Sequence, residues 1–217
     1  MNLIVFYSVF FFGVFLVFVN FILITTLKNK SKNEKNLFWY LFVSLLETLL
    51  CYSIYRLFPN SNYFVSHLYF FIHFTFLSYI YHQIIDNSNI KKGIKITYPI
   101  VYLIVLLSFL LNPSLFFGFN LIEIILICLA IILFAFILIF QTIETEKRYF
   151  YFSIGIILYF SISCLIFISG SLDKVLVFSR DPYIDHWIIK DLFYILFQLF
   201  IFKEYIFIKQ NQHELSK

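Results

Sequence analysis

"LFVSLLETLLCYSIYRLF", residues 41–58, is an almost unbroken apolar run with one carboxylate near its middle. Its length is close to what an α-helix needs to cross a hydrocarbon layer of ~30 Å. Placing an acidic side chain at the centre of such a helix costs ~2.5–3.5 kcal/mol on insertion scales, so Glu47 needs a partner or a use. Tyr40, Ser44, Glu47 and Cys51 are spaced i, i+4, i+7, i+11 and form one polar stripe along the helix.

The remainder of the chain has the same character. Of its 217 residues, 62% are hydrophobic and 13% charged, far from the half apolar and quarter charged of a soluble domain. Thirty-two residues are Phe and sixteen are Tyr. Phe suits a lipid-facing surface and Tyr the headgroup level. The richness in Phe, Ile, Asn and Lys also suits an AT-rich bacterial genome, so the expected location is the bacterial cytoplasmic membrane. Cys51, Cys128 and Cys164 each lie in an apolar run, with no CxxC spacing, and read as small buried apolar residues.

Apolar runs occur at 3–27, 37–58, 63–85, 96–111, 119–140, 149–169 and 187–207. The expected fold is therefore all-α: a polytopic membrane protein with seven transmembrane helices. Residues 1–209 form the transmembrane domain and 210–217 a cytoplasmic tail. Pro59, Pro113 and Pro182 fall in connections, whereas Pro99 lies inside the fourth run. Twelve of the sixteen basic residues lie on one side: Lys28, Lys30, Lys32, Lys35, Lys91, Lys92, Lys95, Lys147, Arg148, Lys203, Lys209 and Lys217. The positive-inside rule then places the N-terminus outside and the C-terminus in the cytoplasm. Net charge of +4 distributed over such loops sets orientation, and no nucleic-acid binding is expected. The first run has no basic segment before it and reads as an uncleaved helix.

Ionisable groups inside spans point to a site. Besides Glu47, the third run carries His67 and His73 on different faces. The short "PNSN" turn makes the second and third helices antiparallel neighbours, so a Glu47–His73 contact is expected. Glu123 opens the fifth run. Lys190, Asp191, Tyr194 and Gln198 follow one another down the seventh. Together with Glu47, His67, His73 and Glu123 they are the expected ligand-binding residues, lining a polar cavity in the outer half. Arg56, Asp185 and His186 read as interfacial charges that reach water. No catalytic residue is assigned, no cofactor is expected, and the histidine spacing argues against a metal site.

A retinal protein needs a lysine deep in its last helix, whereas Lys190 lies only about one turn in. Seven-helix zinc hydrolases need an HxxxH-like pair in the last span, and small sugar transporters need paired proline motifs; neither is present. The "LLET" of residues 45–48, "SHLYFFIHF" of 66–74, "NLIEIIL" of 120–126 and "FSIGIILYFS" of 152–161 resemble small bacterial seven-helix proteins and the input modules of membrane histidine kinases. That resemblance implies a sensor or receptor-like module whose kinase is a separate chain.

The expected function is accordingly a membrane sensor. A ligand or membrane lipid would bind in the outer half and shift helix packing, and the C-terminal tail would signal to a cytoplasmic partner. Two rivals remain: a lipid-acting enzyme using Glu47 or Glu123 with a histidine, and a small-molecule or proton-coupled transporter using Glu47.

Overall fold

The structure, a computed structural model, describes residues 3–27, 30–57, 64–118, 120–143, 148–172 and 186–214. These form seven α-helices and no strand: α1 Leu3–Thr25, α2 Lys32–Leu57, α3 Phe64–Ile84, α4 Ser88–Leu111, α5 Leu121–Ile143, α6 Phe150–Leu172 and α7 His186–Glu214. A short 3-10 helix, Pro113–Phe117, follows α4. Six helices, α1 to α6, are long and apolar enough to cross a membrane, which makes this a multi-pass membrane protein. The seventh carries Lys190, Asp191, Lys203 and Glu204 and ends in a polar segment, and it falls short of that criterion.

Two helices begin before their apolar runs. In α2 the reason is a capping box: the Ser31 N–H donates to Glu34 at 2.8 Å while the Glu34 N–H donates to the Ser31 hydroxyl at 3.3 Å. In α4, the Asn87 side chain accepts from the N–H groups of Asn89 and Ile90, so the lysine-rich segment before the apolar run is already helical. Pro99 sits within this continuous helix. At the other end of the chain, α7 runs on past Lys209 to Glu214 without a break.

The helices close into a ring in the order α1, α2, α3, α5, α6, α7 and back to α1, with α4 outside against α3 and α5. α7 therefore closes the ring. Its contacts with α1 run in parallel: Gly13 faces Tyr194, Asn20 binds Gln198 and Thr26 binds Tyr205. Its contacts with α6 run antiparallel, from Lys190 over the Phe167 ring to Glu204 at Tyr149. The lumen is filled by rings, among them the fully buried Tyr40, Phe70, Phe74, Tyr81, Phe152, Phe160 and Phe197. The outside is equally apolar, with Phe11, Phe12 and Phe15 of α1 and Leu103, Leu106 and Leu110 of α4 exposed. A bundle that is apolar both inside and out is what lipid as solvent demands.

α6 and α7 approach closely at Gly155. A Cβ there would lie 2.8 Å from the Phe197 ring and 3.0 Å from the Phe200 Cβ. The second atom cannot swing aside, because it is fixed to the backbone of α7. Gly155→Val is expected to separate the two helices and destabilise the bundle by about 1–3 kcal/mol. A thermal unfolding midpoint in detergent equal to that of the native protein would show that the approach is not tight.

Candidate functional site

The stripe on α2 points into the ring. Tyr40, Ser44 and Glu47 are buried, and the Cys51 thiol donates to Glu47 Oε1 at 2.8 Å. From α3, His73 faces the same carboxylate, its Nε2 4.0 Å from Glu47 Oε2. The other ring nitrogen, Nδ1, lies 3.1 Å from the Tyr40 hydroxyl. If the hydroxyl donates, the imidazole proton sits on Nε2 and faces Glu47. Tyr40, His73 and Glu47 thus line up from α2 to α3 and back, with Cys51 on the carboxylate's other oxygen.

α6 and α7 complete this centre. The Tyr69 ring lies 4.5 Å from the His73 ring, and its hydroxyl donates to Tyr159 of α6 at 2.9 Å. The Lys190 ammonium lies 5.2 Å from the centre of the Tyr69 ring and 5.5 Å from that of Phe167. It acts electrostatically on Glu47, Cys51 and His73 alike. The Tyr194 ring lies 5.3 Å from that of Tyr159, and Asp191 bears electrostatically on both. An aromatic face beneath an ammonium is a favourable arrangement, stronger where water is excluded. Chemically, the centre offers a carboxyl, an imidazole, an ammonium and several phenols, enough to bind a polar ligand or to pass a proton.

Of the residues singled out from sequence, the structure brings Glu47, His73, Lys190, Asp191 and Tyr194 to this centre. His67 and Glu123 form a second one. His67 precedes His73 by six residues, so it lies about 9 Å along the helix and on another face. Its Nδ1 is 2.5 Å from Glu123 Oε2 of α5. Gln198 lies one turn beyond Tyr194, where its carbonyl and side-chain oxygens accept from the Asn20 amide at 2.8 and 3.1 Å. That pair ties α7 to α1. Asp185 and the side chains of Arg56 and His186 lie outside the described residues. No group of three His, Cys, Asp or Glu among the described residues could hold a metal ion.

The structure also gives weight to residues that sequence reasoning left aside. Glu204, fully buried on α7, accepts from the backbone N–H of Tyr149 at 2.6 Å, of Tyr151 at 3.1 Å and of Phe152 at 3.3 Å. It caps α6 from a neighbouring helix, where the helix N-terminus favours a negative group. Tyr149 adopts φ 62, a backbone state that costs a bulky residue ~1–3 kcal/mol and needs such support. Nearby, the Tyr205 hydroxyl meets Thr26 of α1 at 3.1 Å, and Gln212 donates to Glu34 of α2 at 3.4 Å. The Ser31-x-x-Glu34 spacing and the lone Asn20 in an apolar run were legible signals. Glu204 sits among aromatic and basic residues near the end of a span and carries no local mark of its role.

The chain matches no protein-family model, no curated protein and no solved structure.

Glu204→Ala removes the acceptor from three N–H groups, two of the bonds being buried, and is expected to lower stability by about 2–3 kcal/mol. Glu204→Gln keeps an acceptor oxygen and should recover part of that loss. Thermal midpoints of the three proteins in one detergent test this; equal midpoints would show that α6 holds its first turn unaided.

Proposed function

We propose that this protein is a seven-span sensor or receptor-like module of the bacterial cytoplasmic membrane, N-terminus out and C-terminus in. A polar ligand or lipid headgroup binds at the Glu47–His73–Lys190 centre, and α7 carries the change to the cytoplasmic end, where a partner protein reads it. One observation carries the reading. α7 touches the charged centre with its first turns, through Lys190 and Tyr194, and grips α1, α2 and α6 with its last, through Tyr205, Gln212 and Glu204. A ligand that drew Lys190 away from the Tyr69 face would act on a helix whose far end is held by polar contacts with three others. Such contacts have discrete alternatives, which is what a two-state signal requires.

The seventh span is supported by packing. α7 lies parallel to α1 from Gly13 to Thr26, over most of the stretch by which α1 can cross a membrane. A helix in that position crosses with α1 and in the same direction. Three of its charges lie against its neighbours: Lys190 and Lys203 over aromatic faces, Glu204 on backbone donors. The lysines gathered at the opposite ends of these helices set the direction.

Reporter fusions after Lys32, Lys92, Lys147 and Lys217 should all report cytoplasm, and one reporting the outside would break the topology.

The signalling reading is tested by the cell's transcript profile. Glu47→Gln keeps shape but cannot ionise, and a chain truncated after Lys209 keeps the bundle but loses the tail. Both are expected to insert at native level, with little loss of stability, and to reproduce the profile of a deletion. Glu47→Leu should in addition lose about 1 kcal/mol of stability. A truncated protein that preserves the native profile would favour the enzyme or the transporter.

A further inference from the structure

The second centre is built differently from the first. His67 lies in the first turn of α3 and Glu123 in the first turn of α5, and both are buried. Glu123 is placed by a local device: the Asn120 side chain accepts from the Glu123 N–H at 3.4 Å and donates to the Ser108 hydroxyl of α4 at 2.7 Å. The imidazole is held between two rings, Phe109 of α4 edge-on at 4.9 Å and Phe116 of the 3-10 helix nearly parallel at 5.7 Å. One polar atom is left over. His67 Nε2 is buried and has no hydrogen-bond partner among the described residues, in a side chain that is only 10% exposed. A buried polar atom without a partner costs stability, so a reason for keeping it is required.

The carboxylate fixes what that atom can do. Glu123 sits where the N-terminus of α5 favours a negative side chain, so Nδ1 donates its proton to Glu123. In the tautomer with its proton on Nδ1, Nε2 carries a lone pair and can accept from a donor. The surroundings say which kind of donor can arrive. Phe116 and Phe117 are 48% and 73% exposed, and Leu110 and Leu111 67% and 85%, an apolar rim on the outside of a membrane-spanning bundle. Whatever reaches Nε2 past Phe116 comes along a surface made for acyl chains. A third His, Cys, Asp or Glu that would make a metal site is not present among the described residues.

We propose that His67 and Glu123 form a recognition site for a hydroxyl group carried by a membrane lipid headgroup, with Nε2 accepting the hydroxyl proton and Phe116 covering the site when it is empty. The site is separate from the Glu47–His73 centre and stands whether or not that centre senses a ligand. Glu123 is the positioning residue: it fixes the tautomer and does not touch the lipid.

The test uses full-length protein with ¹⁵N-labelled histidine in phosphatidylcholine nanodiscs. Each disc also holds the same fraction of phosphatidylglycerol, which has free hydroxyls, or phosphatidylmethanol, which has the same charge and none. The resonance that His67→Gln removes is assigned to His67. The expected result is an Nε2 acceptor signal that shifts with phosphatidylglycerol and not with phosphatidylmethanol. Free glycerol added to the phosphatidylmethanol discs should leave it in place. Native mass spectrometry should show phosphatidylglycerol retained about tenfold better than phosphatidylmethanol, with the preference lost in His67→Gln and weakened in Glu123→Gln. A proton on Nε2, equal shifts with both lipids, or no shift with either overturns the proposal. A response to free glycerol overturns the lipid as source of the hydroxyl. If His67→Gln does not fold, the native spectra still decide, because Glu123→Gln and the unlabelled lipid comparison identify the same signal.

Discussion

The hydrocarbon core of a bilayer offers no water to a polar group, so one carried in by a helix is costly unless a side chain of its own helix or of a neighbour meets it. Glu47 is met by Cys51 and His73, Asn20 by Gln198, Tyr69 by Tyr159, Glu123 by His67. Apolar side chains cannot set the register of helices in lipid, because tails and leucines are equally apolar to one another. These few polar pairs do set it. Aromatic rings fill what is left, and the close fit at Gly155 fixes how near α6 and α7 can come.

α7 shows the constraint at its sharpest. Its charges keep it from resembling the six apolar helices, yet it is the helix that closes the ring. Lys190 lies against aromatic faces at one end, Lys203 lies 4.4 Å from the centre of the Tyr151 ring, and Glu204 is consumed by the backbone of α6. A helix whose Lys190, Lys203 and Glu204 all rest on its neighbours is also coupled to them. Displacing it at one end disturbs contacts at the other, which is why the proposed signalling role is given to it.

The two histidine centres lie in different surroundings. His73 sits in the lumen among phenols, a carboxylate and an ammonium, and works as part of a network. His67 sits on the α4–α5 side, oriented by one carboxylate and flanked by two phenylalanines, with a single atom to spare. Their separation follows from helix geometry alone, since six residues turn an α-helix through about two-thirds of a circle from the starting face.

The sequence by itself determined the class of molecule, because transfer of 62% hydrophobic residues into lipid is a property of composition and run length. It also determined the stripe on α2 and the neighbourhood of Glu47 and His73, because helical period and a short turn fix both. It did not place Glu123 with His67, Gln198 with Asn20 or Glu204 at the head of α6. Those partners are 56, 178 and about 55 residues apart. Nothing in a local pattern of spacing says which helices become neighbours; that depends on how the ring closes. Only the packed bundle decides which of its buried polar groups pair off and which, Nε2 of His67 among them, find no partner among the described residues.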